Sequence, residues 1–457
     1  MLLEEIFDRF VDKSPICVMT RGLLERALCP ERLEALFQDG AERQYTKKLL
    51  FSTTVDVMAA VVCRTQPSVH AAYQAKKAEI GVSVRALYDK LTCLEPGLAA
   101  ALVSHTAECL EPLIRRLKGT VPPLLKGYTV KILDGNHLGR TQRRLKILRD
   151  VAAGPLPGQT LVILEPETGL ASGVICCEDG HTQERALLEQ VWPHVEDRDV
   201  WIADRNFCTT MFLFGLAARG GRFLIRQHAS TLRWQRESPQ RRVGRTGTGV
   251  VYEQTLWLQD EDGVELKVRR VSLKLDKPTR DGEQTIHLLT NLPAKIAAPR
   301  LATLYRQRWT IEGLFHNLTV LLRCEVNTLA YPKAALFGFC VALAASNVLA
   351  AVKAALRGAH PQVAIDAEVS DFYVAEELAG VYRGLMIALP ESAWEHLGAL
   401  SESAFAAWLL GVAKRVKLER YQKHPRGPKK PRPRRQRFAK AKHVSTARLL
   451  AQERSRK

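Results

Sequence analysis

Nineteen consecutive residues of this 457-residue chain, 334–352, carry no charged side chain. A helix of that length is long enough to cross a lipid bilayer, and it is equally able to run through the centre of a large core. Gly338, Ser346 and Asn347 interrupt the apolar run, and no second stretch of comparable length accompanies it. We therefore predict a core helix packed on a sheet, in a soluble protein with no membrane partner.

The charge of the chain is strongly positive and unevenly placed. Its formal net charge is +19, from 67 basic and 48 acidic residues, which favours a polyanionic partner, nucleic acid before membrane. Residues 421–457 alone hold fourteen basic residues and one acid. We expect this segment to be a disordered basic tail, because it also contains four prolines, Pro425, Pro428, Pro431 and Pro433.

Two apolar segments in the middle of the chain each end on an aspartate. Residues 128–134 and 199–204 are typical of strands, and they finish at Asp134 and Asp204. In a sheet that contains parallel strands, side chains at such ends face a common crevice. The two aspartates are therefore candidates for one site.

Other segments around these strands complete a mixed α/β pattern. Apolar runs at 159–165 and 169–177 are joined by turn residues and predict a hairpin, and Thr182 is the expected N-cap of a helix over 183–191. Residues 229–290 alternate with period two and predict an all-β insertion. Antiparallel strands followed by strands that alternate with helices indicate a mixed sheet.

A long helical pattern follows the insertion, over 299–323. Tyr305, Arg308, Glu312 and His316 are three, four and four residues apart, so they share one helix face. Taken alone, Arg308 and Glu312 are most simply an exposed ion pair worth a few tenths of a kcal/mol. The same group also suits a site that holds a metal ion and a phosphate together.

Asp134, Asp204 and Glu312 form a candidate catalytic set. Three converging carboxylates repel one another unless divalent cations neutralise them, and oxygen ligands favour Mg²⁺ or Mn²⁺. Two such ions roughly 3.5–4 Å apart activate a water or a 3′-hydroxyl and stabilise the leaving oxygen of a phosphodiester. Each acid taken singly is more simply a strand-end or surface charge, so the hypothesis depends on all three.

Three motifs resemble those of the DDE transposases of bacterial cut-and-paste insertion sequences, in the branch called insertion sequence family four. Residues 132–138, Ile-Leu-Asp-Gly-Asn-His-Leu, look like the first-aspartate motif, and residues 203–207, Ala-Asp-Arg-Asn-Phe, look like the second. Residues 305–312 look like the start of the Tyr-Arg-Glu-Lys signature. The resemblance covers about residues 128–350, including a long interval before the glutamate where the family carries a β insertion.

The resemblance implies a ribonuclease H-like catalytic core with two Mg²⁺ or Mn²⁺ ions. Asp134 would bridge both ions, and Asp204 and Glu312 would each complete one. Tyr305 and Arg308 would hold the phosphates beside the scissile bond, Arg308 by a charge-assisted fork. The implied partners are double-stranded DNA, as the terminal inverted repeats of the protein's own element and as target DNA, and a second copy in a synaptic homodimer.

One position departs from the family pattern. Thr319 stands where the signature has its lysine, seven residues after the glutamate, and that lysine is thought to contact a phosphate. Either His316 or Arg323, which fall on the same face of the helical pattern, would replace it, or the phosphate contact is missing from this protein. Trp309 and Trp234 are candidates for stacking on a base flipped from the duplex, with burial in the core as the alternative.

These observations divide the chain into regions with different expected roles. The predicted regions are a helical N-terminal domain that is a candidate for DNA-end binding (1–120), the first part of the catalytic core (121–228), the β insertion (229–290), the second part of the core (291–356), a helical C-terminal region that is a candidate for dimerisation (357–420) and the basic tail (421–457).

The ten cysteines indicate the compartment. They contain no C-x-x-C pair, which predicts buried free thiols in a reducing cytoplasm and no zinc site. We expect a bacterial cytoplasmic protein associated with the nucleoid.

Two other functions fit the same residues. A catalytically inactive DNA-binding protein would keep the fold and the tail, and the missing lysine favours it slightly. A structure-specific nuclease on the same fold would share the chemistry and differ in its substrate.

Overall fold

The computed structural model describes most of the chain. The described residues are 2–42, 48–139, 145–149, 151, 153–228, 232–279, 282–424 and 443–455.

The N-terminal region is helical, as predicted. Its helices are α1 (Leu2–Lys13), α2 (Pro15–Ala27), α3 (Pro30–Gly40), α4 (Phe51–Val62), α5 (Val69–Ala75), α6 (Lys77–Ile80), α7 (Val84–Cys93) and α8 (Pro96–Arg116). Prolines begin α2, α3 and α8, because the first turn of a helix leaves its N–H groups unpaired and proline has none. Ser83 caps α7 by accepting a hydrogen bond from the Ala86 N–H at 3.2 Å.

A mixed sheet forms the middle of the molecule. Its first strands and the short helix between them are β1 (Thr129–Leu138), α9 (Lys146–Arg149), β2 (Pro155–Leu156), β3 (Gly158–Glu165), β4 (Leu170–Cys177), β5 (Asp199–Ala203) and β6 (Arg222–Arg226). Five of these strands lie in the order β4-β3-β1-β5-β6, with β1 antiparallel to β3 and parallel to β5. The predicted α/β class is confirmed, and this order is consistent with a ribonuclease H-like core.

The predicted hairpin is present as β3 and β4. Every residue of β3 except Glu165 is buried, as expected for an apolar strand with neighbours on both sides. Gly169 closes the turn with a φ of +78°, which glycine adopts without a steric penalty. Thr182 is not a helix cap, contrary to the prediction. A 3₁₀ helix over Glu184–His194 follows instead, and the Thr182 carbonyl accepts a hydrogen bond from the Gln159 side chain.

The predicted insertion consists of strands that extend the same sheet. After α10 (Thr210–Ala218) they are β7 (Trp234–Glu237), β8 (Arg241–Thr246), β9 (Gly249–Gln259), β10 (Glu265–Leu275) and β11 (Thr285–Thr290). Strand β11 pairs antiparallel with β6, and the order continues β11-β10-β9-β7, with β8 also paired to β9. The insertion therefore packs edge to edge with the core through backbone hydrogen bonds.

The uncharged run lies in a long buried helix. Helices α11 (Ala298–Tyr305) and α12 (Trp309–Val320) lead to α13 (Pro332–Ala359). Among the described residues, α13 is the one helix long and apolar enough to cross a bilayer, and 83% of its most apolar stretch is buried inside the protein. It packs against α4, α8, β3 and β4, which is the environment predicted for a core helix.

The C-terminal region is again helical, and part of the tail is ordered. Its elements are α14 (Ile365–Glu368), α15 (Asp371–Ala388), α16 (Ser392–Gly398), α17 (Glu402–Ala413), β12 (Val444–Ser445) and α18 (Thr446–Ser455). Strand β12 pairs in parallel with β2, and Arg448 of α18 lies 2.6 Å from the Asp179 carboxylate. Residues 443–455 thus contain β12 and α18, whereas residues 425–442 of the predicted disordered tail lie outside the described residues.

All ten cysteines are free thiols, but fewer are buried than predicted. Cys17, Cys208, Cys324 and Cys340 are buried, while Cys93 is exposed and the others are intermediate. Three of the thiols that are not buried, Cys29, Cys63 and Cys93, lie at helix ends, where the chain is more open to water.

A buried amide joins three parts of the fold. Asn347 of α13 is fully buried, and its side chain accepts a hydrogen bond from the Ala171 N–H at 2.8 Å and donates to the Ala171 carbonyl at 3.0 Å. It also donates to Thr106 of α8 at 3.1 Å. One side chain thus satisfies the backbone of β4 where the β3–β4 register shifts, between Ile163 and Leu164.

We expect Asn347→Ala to lower the free energy of unfolding by about 2–4 kcal/mol. The substitution leaves the Ala171 backbone groups buried and unpaired, and each such group costs roughly 1–3 kcal/mol. Urea denaturation measures the change, with Ser346→Ala as the control on the neighbouring, partly exposed position. A loss no larger than that of the control would contradict the role of Asn347.

Candidate active site

Asp134 lies on β1, and Asp204 directly follows β5, the neighbouring parallel strand. The register pairs Leu133 of β1 with Ala203 of β5, and each aspartate is the next residue. Strand β5 ends at Ala203, whereas β1 continues to Leu138 along β3, so Asp134 stands inside its strand and not at its end as predicted. Because β5 ends at Ala203, β1 has no β5 residue beside it from Asp134 onward, and this leaves a crevice next to Asp134.

The helical pattern that carries the third acid is divided into three pieces. Helix α11 ends at Tyr305, a 3₁₀ turn covers Arg306–Arg308, and α12 begins at Trp309. Tyr305 and Arg308 keep right-handed helical backbone angles, so the change tightens the chain without reversing it. Helix α12 packs against β1, and this places its first turn, with Glu312, beside Asp134.

Arg308 connects two of the three predicted acids. Its Nη1 lies 3.1 Å from Asp134 Oδ2, and its Nη2 lies 2.8 Å from Glu312 Oε1. The Arg308 side chain is only 14% exposed, whereas that of Glu312 is 54% exposed, so only the glutamate end of the predicted surface pair is solvated. Burial lowers the pKa of Arg308, but the nearby Tyr305, Asp134, Asp204 and Glu312 side chains raise it overall.

The environment of Asp134 disfavours its charge. Burial is the largest cause and raises the pKa of this carboxyl to about 6. The Arg308 guanidinium and the Gly135 N–H, which donates to Asp134 Oδ1 at 3.0 Å, act in the opposite direction. The carboxylates of Glu184 and Asp204 add to the rise. More carboxylates therefore surround Arg308 than this one guanidinium neutralises.

The hydroxyl of Tyr305 is buried next to these acids without a hydrogen-bond partner among the described residues. Burial raises the pKa of Tyr305 well above its usual value, and the carboxylate of Asp204 raises it further. An unsatisfied buried hydroxyl in an acidic crevice is costly unless a ligand pairs with it. It is placed to donate to an oxygen of a bound phosphate or water.

The donor set fits a hard divalent cation in its chemistry. It consists of carboxylate oxygens in excess over the positive charge of Arg308, and such a set binds Mg²⁺ or Mn²⁺. Among the described residues, however, no three acidic, histidine or cysteine side chains already surround a metal-sized gap. The Arg308 guanidinium instead contacts Asp134 at 3.1 Å and Glu312 at 2.8 Å.

The positions predicted to replace the signature lysine differ in their surroundings. His316 is exposed on α12, and Thr319 lies one turn further on. Helix α12 ends at Val320, so Arg323 is beyond the helix and not on the predicted face. Its guanidinium instead donates to the Pro67 carbonyl at 2.5 Å, which links it to the N-terminal helices.

Both candidate stacking residues are outside the core. Trp309 is 61% exposed at the start of α12, and Trp234 is 37% exposed on β7. Trp234 lies 5.3 Å from the Arg270 guanidinium, measured to the ring centroid. Sequence reasoning missed the neighbouring Trp257, whose ring carries the Arg236 guanidinium at 4.5 Å. The arginines and tryptophans interleaved in residues 229–290 are the sequence signal that could have identified it.

Sequence reasoning also missed Glu184. Its side chain contacts the turn after Asp204, where the Asn206 amide donates to Glu184 Oε2. It is the second residue of the helix predicted over 183–191, and a glutamate is common in the first turn of a helix. No pattern of spacing distinguishes it, because its neighbours in space lie 49 and 22 residues away in sequence, at Gly135 and Asn206.

A ribonuclease H-like sheet with acids on its two central parallel strands defines a class of nucleic-acid-processing proteins. Residues 159–348 match the family model of the transposase DDE domain, and this match supports a DDE transposase. The matched range contains Asp204 and Glu312, and Asp134 precedes it. No curated protein matches the chain.

We expect Asp134→Asn to stabilise the protein in the absence of divalent metal. Because the folded-state pKa is raised to about 6, the ionised form of Asp134 costs stability, and this cost grows as the pH rises from about 4 through 6. The variant should exceed wild type by about 2–3 kcal/mol at pH 8 and by about half of that at pH 5. Urea denaturation in EDTA at both pH values measures this.

Asp262→Asn, in the exposed β9–β10 turn, is the control and should change stability by less than about 0.5 kcal/mol at either pH. A gain for Asp134→Asn that is absent, or that does not depend on pH, would contradict the assignment of a strained carboxylate.

Proposed function

We propose that this protein is the transposase of a bacterial cut-and-paste insertion sequence, of the branch with the Tyr-Arg-Glu-Lys signature. In this proposal it cleaves phosphodiester bonds at the ends of its own element and joins the freed 3′-hydroxyls to target DNA, without a covalent protein intermediate. The observation that carries the proposal is the contact of Arg308 with both Asp134 and Glu312, beside Asp204 on the adjacent strand.

Asp134, Asp204 and Glu312 are the residues that would hold the metal, with Asp134 between the other two. Two bound Mg²⁺ or Mn²⁺ ions supply an activated water or 3′-hydroxyl and stabilise the leaving oxygen. Neutral asparagine or alanine at any of the three positions removes charge that the ions need. The raised pKa of Asp134 supports this role, because a carboxylate that is costly when ionised alone gains from a nearby cation.

Tyr305 and Arg308 would bind the DNA backbone. The unpaired Tyr305 hydroxyl donates to a phosphate oxygen in this proposal. Arg308 turns its planar fork from the two carboxylates to a phosphate once those carboxylates are otherwise neutralised. His316, exposed on the same helix, would take the place of the signature lysine more readily than Arg323, which is tied to Pro67.

The partners follow from this chemistry. Two ends of the element must be held together, so we infer a homodimer in a synaptic complex with double-stranded DNA. Trp309 and Trp234 offer exposed rings for a flipped base. The protein would act in the bacterial cytoplasm, at the nucleoid.

Alanine at Asp134, Asp204 or Glu312 should abolish Mg²⁺-dependent cleavage of a duplex that carries the ends of the element. Loss of a metal ligand removes several kcal/mol of transition-state stabilisation, which corresponds to about a thousandfold or more in rate. Cleavage assays with Mg²⁺, Ca²⁺ or EDTA measure this, and Glu261→Ala in the exposed β9–β10 turn is the control.

The same assay separates the competing functions. If the three variants and wild type have equal activity in Mg²⁺, the result favours a catalytically inactive DNA-binding protein. Equal cleavage of element ends and random duplex by wild type would favour a structure-specific nuclease.

The basic run, defined here as residues 426–442 of the basic tail, should contribute strongly to DNA binding. If glutamine replaces its nine basic residues, the affinity for DNA should depend less steeply on salt. The nine are Arg426, Lys429, Lys430, Arg432, Arg434, Arg435, Arg437, Lys440 and Lys442. Each neutralised phosphate contributes about −0.9 to the log–log slope, so the change is at most about 8. Affinity titrations between 50 and 200 mM salt, roughly the range in which this effect is large, measure the slope.

Substitution is preferable to truncation here, because β12 and α18 follow the run and dock on the core. Arg85→Gln, at an exposed position of α7, is a single-charge control. An unchanged slope in the nine-residue variant would show that the run does not contact DNA.

A further inference from the structure

The 3₁₀ helix Glu184–His194 begins directly beside the two strands that carry Asp134 and Asp204. Its first residue, Glu184, is only partly exposed, and its carboxylate points between those strands. The proposed function uses three acids and gives this fourth carboxylate no role.

Glu184 and Arg185 together hold the turn that follows Asp204. The Asn206 side-chain amide donates to Glu184 Oε2. The neighbouring Arg185 Nε donates to the Asn206 backbone carbonyl at 2.8 Å. Side chain and backbone of Asn206 are thus fixed by consecutive residues, so the turn is attached to the 3₁₀ helix at two points.

The other oxygen of Glu184 reaches β1. A Cβ atom added to Gly135, the residue after Asp134, would collide with Glu184 Oε1. Gly135 has no left-handed backbone angle that would itself require glycine, since it is absent from the residues with positive φ. The requirement for a small residue at this position therefore comes from the Glu184 carboxylate.

The usual interaction of an acidic side chain with the N-terminus of its own helix does not account for these contacts. A first-turn acid that stabilises only its own helix points to the free N–H groups of that helix. Glu184 instead contacts two other segments, and each of them holds one proposed metal ligand. The 3₁₀ helix is itself anchored, because Leu187, Leu188 and Val191 are buried in the core under the sheet.

We propose that Glu184 is a positioning residue, whose carboxylate fixes the turn carrying Asp204 against the strand carrying Asp134. It sets the separation of the two aspartates through Asn206 on one side and Gly135 on the other. The inference rests on the proposed function for its consequence in catalysis, but the positioning itself is a property of the protein without metal or DNA.

Hydrogen exchange of the metal-free full-length protein tests the positioning directly. The Phe207 N–H donates to the Asp204 carbonyl and the Cys208 N–H donates to the Arg205 carbonyl, both at 3.1 Å, so they report on the turn. In Glu184→Ala these amides should exchange at least tenfold faster than in wild type. In Glu184→Gln, which keeps an acceptor for Asn206, the change should stay under about threefold.

Glu189→Ala is the matched control, because Glu189 is an exposed acid on the same 3₁₀ helix. It should leave the exchange of Phe207 and Cys208 unchanged. Equal exchange in Glu184→Ala and Glu189→Ala would overturn the proposal. Loss of protection throughout β1 and β5 in Glu184→Ala would also overturn it, since that result assigns Glu184 to general stability.

Gly135→Ala provides a second route that does not touch Glu184. The added methyl group should displace the carboxylate and accelerate the same two amides about as much as Glu184→Ala does. The double variant should be no worse than either single one, because the two changes break one contact. Additive effects would show that Gly135 and Glu184 act separately, and the proposal would fail.

Cleavage kinetics then connect the positioning to the site. With Mg²⁺ varied, Glu184→Ala should need at least about fivefold more Mg²⁺ for half-maximal rate, whereas Glu184→Gln should stay within about twofold of wild type. If wild type has no cleavage activity but the exchange results hold, only the proposed function fails. If cleavage depends on the three acids but exchange does not depend on Glu184, only this inference fails.

Discussion

The parallel pairing of β1 with β5 is the constraint on which the site depends. The register of Leu133 with Ala203 makes neighbours of Asp134 and Asp204, although 70 residues separate them in the chain. A slip of one residue would turn one aspartate to the opposite face of the sheet, because side chains alternate along a strand. The apolar residues before each aspartate fix that register, since they are buried on both faces of the sheet.

Electrostatics then set the resting state of the site. Asp134 is costly when ionised, and Arg308 offsets part of that cost by joining it to Glu312. The unpaired Tyr305 hydroxyl is a second strained group in the same crevice. Strain of this kind is typical of functional sites, where stability is lower than packing alone would allow. The arginine would be the first group to move when a cation or a phosphate enters.

The sequence predicts most of the architecture but less of the site. Alternation and apolar runs identify the strands well, and the uncharged run predicts α13, because each signal is local and comes from burial. Contacts between distant segments are missed. Glu184 looks like any first-turn acid, the end of α12 at Val320 has no breaker residue, and the composition of 443–455 does not reveal its pairing with β2. These features depend on tertiary partners, which a single sequence does not display.

The position of Asn347 has a consequence for synthesis of the protein. A ribosome completes α8 and the β3–β4 hairpin about 170 residues or more before it delivers this asparagine, so the apolar surfaces that α13 covers stay open to water in the meantime. Nascent chains of this length expose an apolar surface that is not yet covered, and such surfaces promote aggregation and chaperone binding. An excised fragment that stops before Pro332 would keep that interface permanently.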